Sequence, residues 1–304
     1  MIRIRLGSRG SPLALVQANL VRDALLAAHR WDADAVTITV IRTTGDKVQD
    51  RPLAEIGGKA LWTKELDRAL LEGTIDAAVH SMKDVETIRP DAIALAAMLP
   101  RADVRDRLIG AATIDALPPG ARIGTSSPRR AAQLRRLRPD LVPVTFRGNV
   151  DTRLAKLAAG EVEGTLLAAA GLERLGRSDV GASIPTSILL PAPAQGAVGI
   201  ECRADDAGVR ESLAAIDHPE THACVLAERA LLAALRADCH SPVAALARIE
   251  GAILTIDAEL LSEDGSERVE AQEAGAPGDA RVAQALAGKL LANAPDAIRR
   301  LFAS

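Results

Sequence analysis

Aromatic residues are nearly absent from this sequence. Its 304 residues include no tyrosine, two tryptophans and two phenylalanines. The hydrophobic cores must therefore be aliphatic, and a ligand site has little aromatic surface for stacking. This absence weighs against a single-strand nucleic-acid binder, which usually combines a basic groove with aromatic platforms. The net charge of −3 adds no general attraction to nucleic acid or to membranes.

Cysteines and long apolar runs are also scarce. The three cysteines are an odd number and form no CxxC pair, which argues against a disulfide framework and favours a reducing compartment. The N-terminus lacks the continuous apolar region of a signal peptide, and no run reaches the ~18 apolar residues of a membrane helix. We therefore expect a cytoplasmic protein that does not contact a membrane.

Strand and helix patterns alternate along most of the chain. Isoleucine and leucine alternate with arginine over 2–6, and Ser11 and Pro12 then predict the N-cap and first residue of a helix that ends near Ala28. The same order returns at 122–130, where Ser127 precedes Pro128. The other predicted strands are 36–41, 75–80, 165–169, 243–249 and 253–260, and the other predicted helices are 61–72, 150–160, 219–236 and 279–291. This alternation predicts an α/β fold with mixed, mostly parallel sheets, followed by a small α+β domain.

Two loops share an arrangement that suits anions. Ser8–Pro12 contains Arg9, and the segment 124–130 contains Ser127, Arg129 and Arg130. The backbone N–H groups at a helix start bind anions, and a guanidinium pairs with a carboxylate through two hydrogen bonds. We predict one anion site in each of two α/β domains. The alternative is an ordinary capped turn with a solvated arginine.

Positive charge is concentrated between residues 121 and 156. Nine basic and two acidic residues give this stretch a net charge of +7 in a chain of −3. We expect Arg135, Arg136 and Arg138 to lie on a solvated helix face and the other cations to converge. Two like charges ~7 Å apart repel by roughly 2–3 kcal/mol at an effective dielectric of about 20, so a cluster favours an anionic partner. A phosphate metabolite stays open as that partner, although the sequence has no GxxxxGK[ST] loop.

A polar segment, His80-Ser81-Met82-Lys83-Asp84, begins at the last residue of the strand predicted at 75–80. Ligands of open α/β sheets lie beyond the carboxyl ends of strands, so Lys83 is a candidate to bind an anion. Asp84 is a candidate general acid or base, or a stabiliser of a developing cation. The alternative is a surface turn. The glycines in Gly57-Gly58-Lys59 indicate either a mobile lid or a plain linking loop.

Cysteine and histidine positions give two further expectations. Cys239 lies in a loop beside His240 and is the predicted reactive thiol, whereas Cys202 and Cys224 lie in apolar elements where cysteines are commonly inert. His218 and His222 are four residues apart, but the intervening proline places the first at the helix start, so we expect no metal site.

Taken together, these motifs resemble the porphobilinogen deaminase family. The matching segments run in order across nearly the whole chain: Ser8-Arg9 with SPLAL, Gly45-Asp46, Gly57-Gly58-Lys59, HSMKD at 80–84, GTSSPRR at 124–130, RGN at 147–149 with Asp151-Thr152-Arg153-Leu154, Ala170-Gly171-Leu172 with Arg174, and QGAVGIECR at 195–203.

The resemblance implies three domains, of which the first two are like periplasmic binding proteins with a cleft between them. The boundaries implied are 1–99 with 194–216 for domain 1, 100–193 for domain 2 and 217–304 for domain 3. The junctions near 99–103 and at 191–193 agree with a chain that leaves one α/β domain and returns to it.

The resemblance also implies the reaction. Four porphobilinogen molecules are joined head to tail, with loss of four ammonias, and hydroxymethylbilane is released for heme, chlorophyll and cobalamin synthesis. Cys239 matches the cysteine that bears a covalent dipyrromethane cofactor through a thioether. The implied partners are porphobilinogen and oligopyrrole intermediates, and we expect a monomer that binds no nucleic acid.

Site residues carried over from the resemblance fall into three groups. The catalytic residues are Asp84 and Lys83. The cofactor-binding residues are Cys239, Asp84, Lys83, Ser127, Arg129, Arg130, Arg147 and Gly148. The substrate-binding residues are Arg9, Ser11, Asp46, Lys59, Arg147, Arg153, Arg174 and Gln195.

The sequence departs from the family pattern in three places, which involve four residues. Ala237 and Asp238 stand where Gly-Gly commonly precedes the cofactor cysteine, Glu55 stands where a lysine is common, and Trp62 replaces a frequent phenylalanine. We expect the Asp238 carboxylate to disfavour the thiolate and to slow cofactor attachment. The main alternative function is a module that binds a small anion in the same cleft without catalysis. The missing export signal, the HSMKD segment and the cysteine domain weigh against it.

Overall fold

The computed structural model describes residues 3–42 and 63–302. In chain order the strands are β1 Ile4–Arg9, β2 Val36–Ile41, β3 Ala77–Ser81, β4 Ile93–Met98, β5 Asp106–Ile109, β6 Arg122–Gly124, β7 Val142–Val144, β8 Gly164–Ala168, β9 Ala182–Ser183, β10 Val198–Arg203, β11 Val243–Glu250, β12 Ile253–Leu261 and β13 Arg268–Gly275. The α-helices are α1 Pro12–His29, α2 Lys64–Leu71, α3 Pro128–Leu137, α4 Val150–Ala158, α5 Ala169–Arg174, α6 Ala207–Ala214, α7 Pro219–Ala234, α8 Ala280–Asn293 and α9 Asp296–Arg299.

The chain forms two compact units. Unit 1 comprises Met1–Ala102 and Ala197–His222, and unit 2 comprises Asp103–Gly196 and Ala223–Ser304. Unit 2 holds both the second five-stranded sheet and a three-stranded sheet. The division into three domains, with the boundaries given above, stays a prediction.

Unit 1 is built on a mixed sheet with the strand order β2-β1-β3-β10-β4. β1 is parallel to β2 and β3, whereas β10 is antiparallel to β3 and β4. Fully buried aliphatic side chains from β1 and α1, among them Leu6 and Leu25, form its core. Because β1 and β3 are parallel neighbours, the segments that follow them emerge at the same edge of the sheet.

Unit 2 contains a second mixed sheet, with the order β7-β6-β8-β5-β9. β6 is parallel to both β7 and β8, and β5 is antiparallel to β8. The antiparallel sheet β11-β12-β13 belongs to the same unit, and α7 and α8 contribute to its aliphatic core. The predicted fold class, α/β with mixed sheets and a small α+β C-terminal region, is confirmed.

Helix starts follow the predicted capping residues. The Ser11 hydroxyl accepts a hydrogen bond from the backbone N–H of Ala14, and that of Ser127 accepts one from Arg130. A proline occupies the first position of each helix, where its missing N–H costs nothing. These caps orient α1 and α3, and with them the loops that precede the two helices.

One strand was not predicted, and one predicted helix is described only in part. The strand β13 was missed because glutamates alternate with small residues along Arg268–Gly275, so its apolar signal is weak. The helix predicted from residue 61 is described only from Lys64, because 43–62 lie outside the described residues.

The solvated face expected on α3 holds for Arg136, which is exposed, whereas Arg135 is half-buried and contacts a neighbouring turn. Its Nη1 donates to the backbone oxygen of Glu263 at 2.9 Å, in the turn that joins β12 to β13. Gly265 in that turn has a positive φ of 75°, and a Cβ there would lie 2.3 Å from the backbone oxygen of Ala132. This face of the helix therefore packs on the turn.

No helix within 3–42 and 63–302 has both the length and the apolar character needed to cross a membrane.

Candidate active site

A pocket in unit 1 lies where the segments after β1 and β3 meet. Its polar lining combines an arginine, hydroxyls, an amide, an imidazole and a carboxylate: Arg9, Ser11, Gln17, Thr63, His80, Ser81 and Asp84. The N-terminus of α1 begins in this pocket and adds partial positive charge to that of Arg9. The structure therefore brings together Arg9, Ser11 and Asp84, which were predicted from separate motifs.

The turn that carries Lys83 and Asp84 is fixed by its neighbours. The backbone N–H of Met82 donates to the oxygen of Ala197 at 3.1 Å, and Gln17 Nε2 donates to Ser81 Oγ at 2.9 Å. A Cβ on Gly199 would lie 2.2 Å from the Met82 sulfur. The glycine in β10 thus makes room for the turn, and both Lys83 and Asp84 are half-buried.

In unit 2, the loops after β6 and β7 are joined to each other. Ser126 Oγ donates to the backbone oxygen of Phe146 at 2.9 Å. A Cβ on Gly124 would lie 2.5 Å from the Phe146 ring, so only glycine permits this close approach. Because β6 and β7 are parallel neighbours, Ser127 and the segment 146–149 emerge at one edge of the sheet.

Three arginines of unit 2 show the consequences of burial. Arg147 Nη1 is buried and has no hydrogen-bond partner within the described part of the chain. Arg153 Nε donates to the backbone oxygen of Gly148 at 3.0 Å, and Arg174 Nη2 to that of Gly196 at 2.7 Å. Burial lowers the pKa of the Arg174 guanidinium. An anion stabilises a cation that is partly removed from water, so these half-buried arginines suit a polycarboxylated ligand.

Arg129 and Arg130 have a different environment from the one expected of open carboxylate-binding residues. Their side chains are 3% and 7% exposed, and both form ion pairs with Asp106, which is fully buried, at 2.9 and 2.6 Å. Burial would raise the pKa of Asp106, but the two guanidinium charges outweigh it and hold that pKa well below its usual range. Asp106 thus balances one of these two positive charges inside unit 2, and the predicted contacts of both arginines with a cofactor stay a prediction.

Gln195, predicted to bind substrate, is also fully buried. Its Nε2 donates to the backbone oxygen of Val104 at 2.7 Å and to Asp106 Oδ1 at 2.9 Å. The amide nitrogen therefore supports the Asp106 ion pairs, and this burial argues against direct contact with a substrate carboxylate.

Cys239 is exposed, whereas Cys202 and Cys224 are buried, and none of the three forms a disulfide. Burial raises the pKa of the Cys202 thiol to about 11, as expected of an inert cysteine. Asp238 accepts a hydrogen bond from the backbone N–H of His240 at 2.8 Å, so its carboxylate helps to shape the turn that holds Cys239. The expected effect of Asp238 on the thiolate stays a prediction.

Ala237 and Asp238 do not need the conformational freedom of the glycines common in the family. Among the described residues other than glycine, positive φ values occur only at Arg30, Ala194 and Arg236. This departure from the family pattern therefore introduces no strain in the backbone.

Several predicted residues lie outside the described residues. They are Asp46, Glu55, Gly57, Gly58, Lys59 and Trp62. The two histidines considered for a metal form other contacts: His218 Nδ1 lies 2.9 Å from Thr221 Oγ1, and His222 Nδ1 lies 2.8 Å from Asp217 Oδ1.

Sequence reasoning missed Asp106 in unit 2, and it missed Gln17 and Thr63, which line the pocket of unit 1. Asp106 lies in a run of alternating charges, Arg101–Arg107, which has the composition of a surface loop. Only the pairing of β5 with β8 reveals that its side chain is interior. A hydrophobic pattern cannot identify such a residue, although two adjacent arginines in a capped helix are a reason to look for an acidic partner.

The comparisons with known proteins agree with these motifs. A family model described as porphobilinogen deaminase, dipyromethane cofactor binding domain, matches residues 4–211, and one described as its C-terminal domain matches residues 222–293. The chain belongs to the porphobilinogen deaminase family. The resemblance inferred from the sequence motifs is therefore confirmed.

Curated relatives named porphobilinogen deaminase match over nearly the whole chain. One from Sphingopyxis alaskensis is 60% identical over 307 residues, which cover 99% of this chain and 97% of the relative. One from Paracoccus denitrificans is 51% identical over 296 residues, which cover 96% and 95% of the two chains.

Likeness to solved structures is weaker. A Salmonella typhimurium periplasmic binding protein with high arginine specificity has a TM-score of 0.39 and 12% identity, covering 71% of this chain and 92% of its own. Substrate binding domain 2 of Lactococcus lactis GlnP has a TM-score of 0.40 and 10% identity, covering 69% and 85%. With TM-scores this low, neither likeness carries an argument about function.

Proposed function

We propose that this chain is a transferase that joins four porphobilinogen molecules into hydroxymethylbilane, with loss of four ammonias and uptake of one water. One observation in unit 1 carries this proposal beyond family membership. A single pocket contains the carboxylate of Asp84 together with Arg9 and the N-terminus of α1. This arrangement suits a substrate that has carboxylate groups and also develops positive charge during the reaction.

Binding of the acid groups is assigned to cations and helix starts. Every pyrrole unit carries an acetate and a propionate, so a chain of them presents a row of carboxylates. In unit 1 we assign Arg9, Ser11 and Lys83 to these groups. In unit 2 we assign Arg147, Arg153 and Arg174, because Arg147 has a buried unsatisfied N–H and Arg174 is destabilised by burial. Each charge-assisted hydrogen bond contributes roughly 1.5–3 kcal/mol.

Asp84 is the proposed catalytic residue, with Lys83 assisting. In each condensation a carbon–carbon bond forms, the carbon–nitrogen bond of the aminomethyl group breaks, and the ring carbon loses its proton. Ammonia leaves most easily when its nitrogen is protonated, and the carbon left behind carries positive charge. A carboxylate next to that carbon stabilises the charge and can accept a proton.

Cys239 is the proposed attachment site of the dipyrromethane cofactor. Its thiol is exposed in a turn of unit 2, the unit that also contains Ser127, Arg147 and Gly148. The buried N–H of Arg147 supports the fit of a polycarboxylated group to these residues. When bound, the cofactor supplies the electron-rich ring carbon to which the first porphobilinogen is joined. Arg129 and Arg130 contribute positive charge near this site, although Asp106 balances part of it.

The finer features of the proposal follow from the same chemistry. We propose that oligopyrrole intermediates stay bound between additions and that domain 3 carries the cysteine. We also propose a cytoplasmic location, since none of the three cysteines forms a disulfide, and a single chain as the working form.

Purified protein incubated with porphobilinogen tests the function. Release of one hydroxymethylbilane and four ammonias for every four porphobilinogens consumed supports it. Tight binding of porphobilinogen without ammonia release would instead favour a binding module. Arg22→Ala should release the two products at the same rate and in the same ratio as the wild type. Arg22 is on α1 and forms an exposed ion pair with Asp23, away from the pocket lining.

A further inference from the structure

The turn that carries Asp84 is bordered by two residues with no role in the proposed reaction. His80 precedes the turn on β3, and Glu86 follows it. The segment between them contains a single 3-10 turn, Met82–Asp84, closed by a hydrogen bond from the N–H of Val85 to the oxygen of Met82 at 3.3 Å. So short a turn has little stability of its own, and the position of Asp84 depends on what holds the two ends.

One guanidinium connects both ends. Arg89 Nη1 donates to Glu86 Oε2 at 2.8 Å, after the turn. Its Nε and Nη2 donate to the two carboxylate oxygens of Glu201 on β10, each at 2.8 Å. Glu201 Oε2 in turn lies 3.2 Å from His80 Nε2, before the turn, in a close contact that lacks hydrogen-bond geometry. Arg89 thus contacts Glu86 after the turn directly and reaches His80 before it through Glu201.

Burial makes these contacts effective. The side chains of Glu201, His80 and Arg89 are 1%, 4% and 12% exposed, so solvent screens them little. Burial would raise the pKa of Glu201, but its contacts with His80 and Arg89 outweigh burial and lower that pKa to about 2. Glu201 is therefore a carboxylate at neutral pH and binds Arg89 through both of its oxygens.

Helix α2 fixes the guanidinium from the other side. Arg89 Nη2 also contacts Asp67 Oδ1 on α2, and the hydroxyl of Thr63, just before that helix, donates to Glu86 Oε2 at 2.6 Å. The nitrogens of the planar Arg89 guanidinium thus donate to three different carboxylates at once. A lysine keeps the charge but has no such planar group.

We propose that Arg89 is a positioning residue for Asp84, holding both ends of the Ser81–Val85 turn through Glu201–His80 and Glu86. This inference rests on the proposed catalytic role of Asp84. It assigns no contact with substrate or cofactor to Arg89, which acts only through the turn.

Arg89→Lys tests the proposal by its effect on turnover. We expect kcat to fall about tenfold or more, with KM little changed, because a carboxylate displaced by about 1 Å loses much of its effect on the reaction. Glu86→Gln breaks only the contact after the turn and should lower kcat by a smaller factor. An unchanged kcat in both variants would overturn the proposal.

A double-mutant cycle with Asp84→Asn separates positioning from general damage. Once Asp84 has lost its carboxylate, Arg89→Lys should change the residual kcat by less than about twofold, since the two residues act as one unit. An equal loss in both backgrounds would show that Arg89 acts independently of Asp84. Full activity of Asp84→Asn alone would instead refute the proposed function, whatever Arg89 does.

Amide hydrogen exchange gives a readout that needs no turnover. In cofactor-free protein carrying Cys239→Ser, Arg89→Lys should speed exchange at Val85, whose N–H closes the turn. Arg203→Lys is the matched control, because Arg203 is another partly buried arginine of unit 1 that donates to the backbone oxygens of Leu70 and Ile75. Equal exchange at Val85 in the two variants would contradict a specific link to the turn.

Discussion

The proposed role of Asp84 depends on where the fold holds its carboxylate. Its carboxylate lies in a pocket with Arg9 and the N-terminus of α1, at the edge of the sheet where β1 and β3 end. In the proposed function, positive groups in this pocket attract the acid side groups of a pyrrole, and the carboxylate is left to stabilise positive charge on the reacting carbon. At the scale of single residues, the account therefore depends on this carboxylate.

Replacing Asp84 by alanine should leave a folded protein that carries its cofactor but elongates very slowly. A positioned acid or base typically contributes about 10²–10⁴-fold, so kcat should fall within that range. Ammonia release measured against time gives the rate, and intact mass reports the cofactor. Asp91→Ala is the control, since Asp91 is an exposed carboxylate of the same unit, and it should keep full activity. Near-normal turnover of Asp84→Ala would remove Asp84 from the catalytic role.

Individual site residues were predictable from sequence where a motif places them at the start of a helix or the end of a strand. Arg9, Ser11 and Asp84 were found in this way, and the structure brings them to one pocket. The burial of Gln195 was not predictable, because it arises from a hydrogen bond to Asp106, which is 89 residues away in the sequence. Local patterns contain no information about such distant partners.

At the scale of elements, the packing of α3 against the β12–β13 turn explains why Arg135 is half-buried although Arg136 beside it is exposed. The turn approaches closely because Gly265 has no side chain. Its φ of 75° lies in the left-handed region, and its missing Cβ leaves space for the backbone oxygen of Ala132. This contact links α3, whose N-terminus forms part of the proposed cofactor site, to the three-stranded sheet.

Gly265→Ala should lower the free energy of unfolding more than Gly251→Ala. Both glycines have positive φ, 75° and 61°, so both changes introduce strain of about 1–2 kcal/mol. Only at Gly265 does the new methyl group also clash with backbone, at 2.3 Å, whereas nothing lies within 4 Å of the same position at Gly251. Urea unfolding of the two variants measures the difference. Equal losses would mean that the turn does not pack on α3 as described.

Elements with strong apolar periodicity or clear capping residues were predictable, and the remainder were not. The caps at Ser11 and Ser127 located the starts of α1 and α3. β7 and β9 have three and two residues, too few to establish a period, and they are strands only because neighbours pair with them. Tertiary pairing decides such short segments.

At the scale of the whole molecule, buried carboxylates couple stability to pH. The folded-state pKa values of Asp106 and Glu201 lie below the usual range, the second at about 2. A lowered pKa contributes stability that is present above the unfolded-state pKa of about 4 and is lost as the pH falls through the folded-state value. The protein should therefore lose stability progressively from about pH 5 to below pH 2.

Asp106→Asn should lower stability at pH 7 and weaken this acid dependence. The change leaves Arg129 and Arg130 buried without their carboxylate, which costs about 3–5 kcal/mol when one partner of a buried pair is removed. Asp140→Asn is the control, because Asp140 pairs with Arg138 at the surface and should have little effect. Unfolding curves for both variants between about pH 2 and pH 7 make the comparison. Equal stability of the two variants at pH 7 would contradict the buried pair.

Domain organisation was predictable only in outline. Changes in pattern near 99–103 and 191–193 predict two junctions, and the two compact units divide at 102–103, 196–197 and 222–223. The three-domain division itself stays a prediction. The sequence did not indicate that the small C-terminal sheet would group with the second sheet. That grouping depends on contacts such as the one between Gln133 Nε2 and Glu259 Oε1 at 2.5 Å, which join residues far apart in the chain.

The mass of the intact protein tests the central claim most directly. We predict that wild-type protein is heavier than its sequence by two linked pyrroles. Limited porphobilinogen should add up to four equal increments, each one pyrrole unit after loss of ammonia. Cys239→Ser should show neither the extra mass nor the increments. A wild-type chain that is well folded, unmodified and unchanged by porphobilinogen would contradict the account.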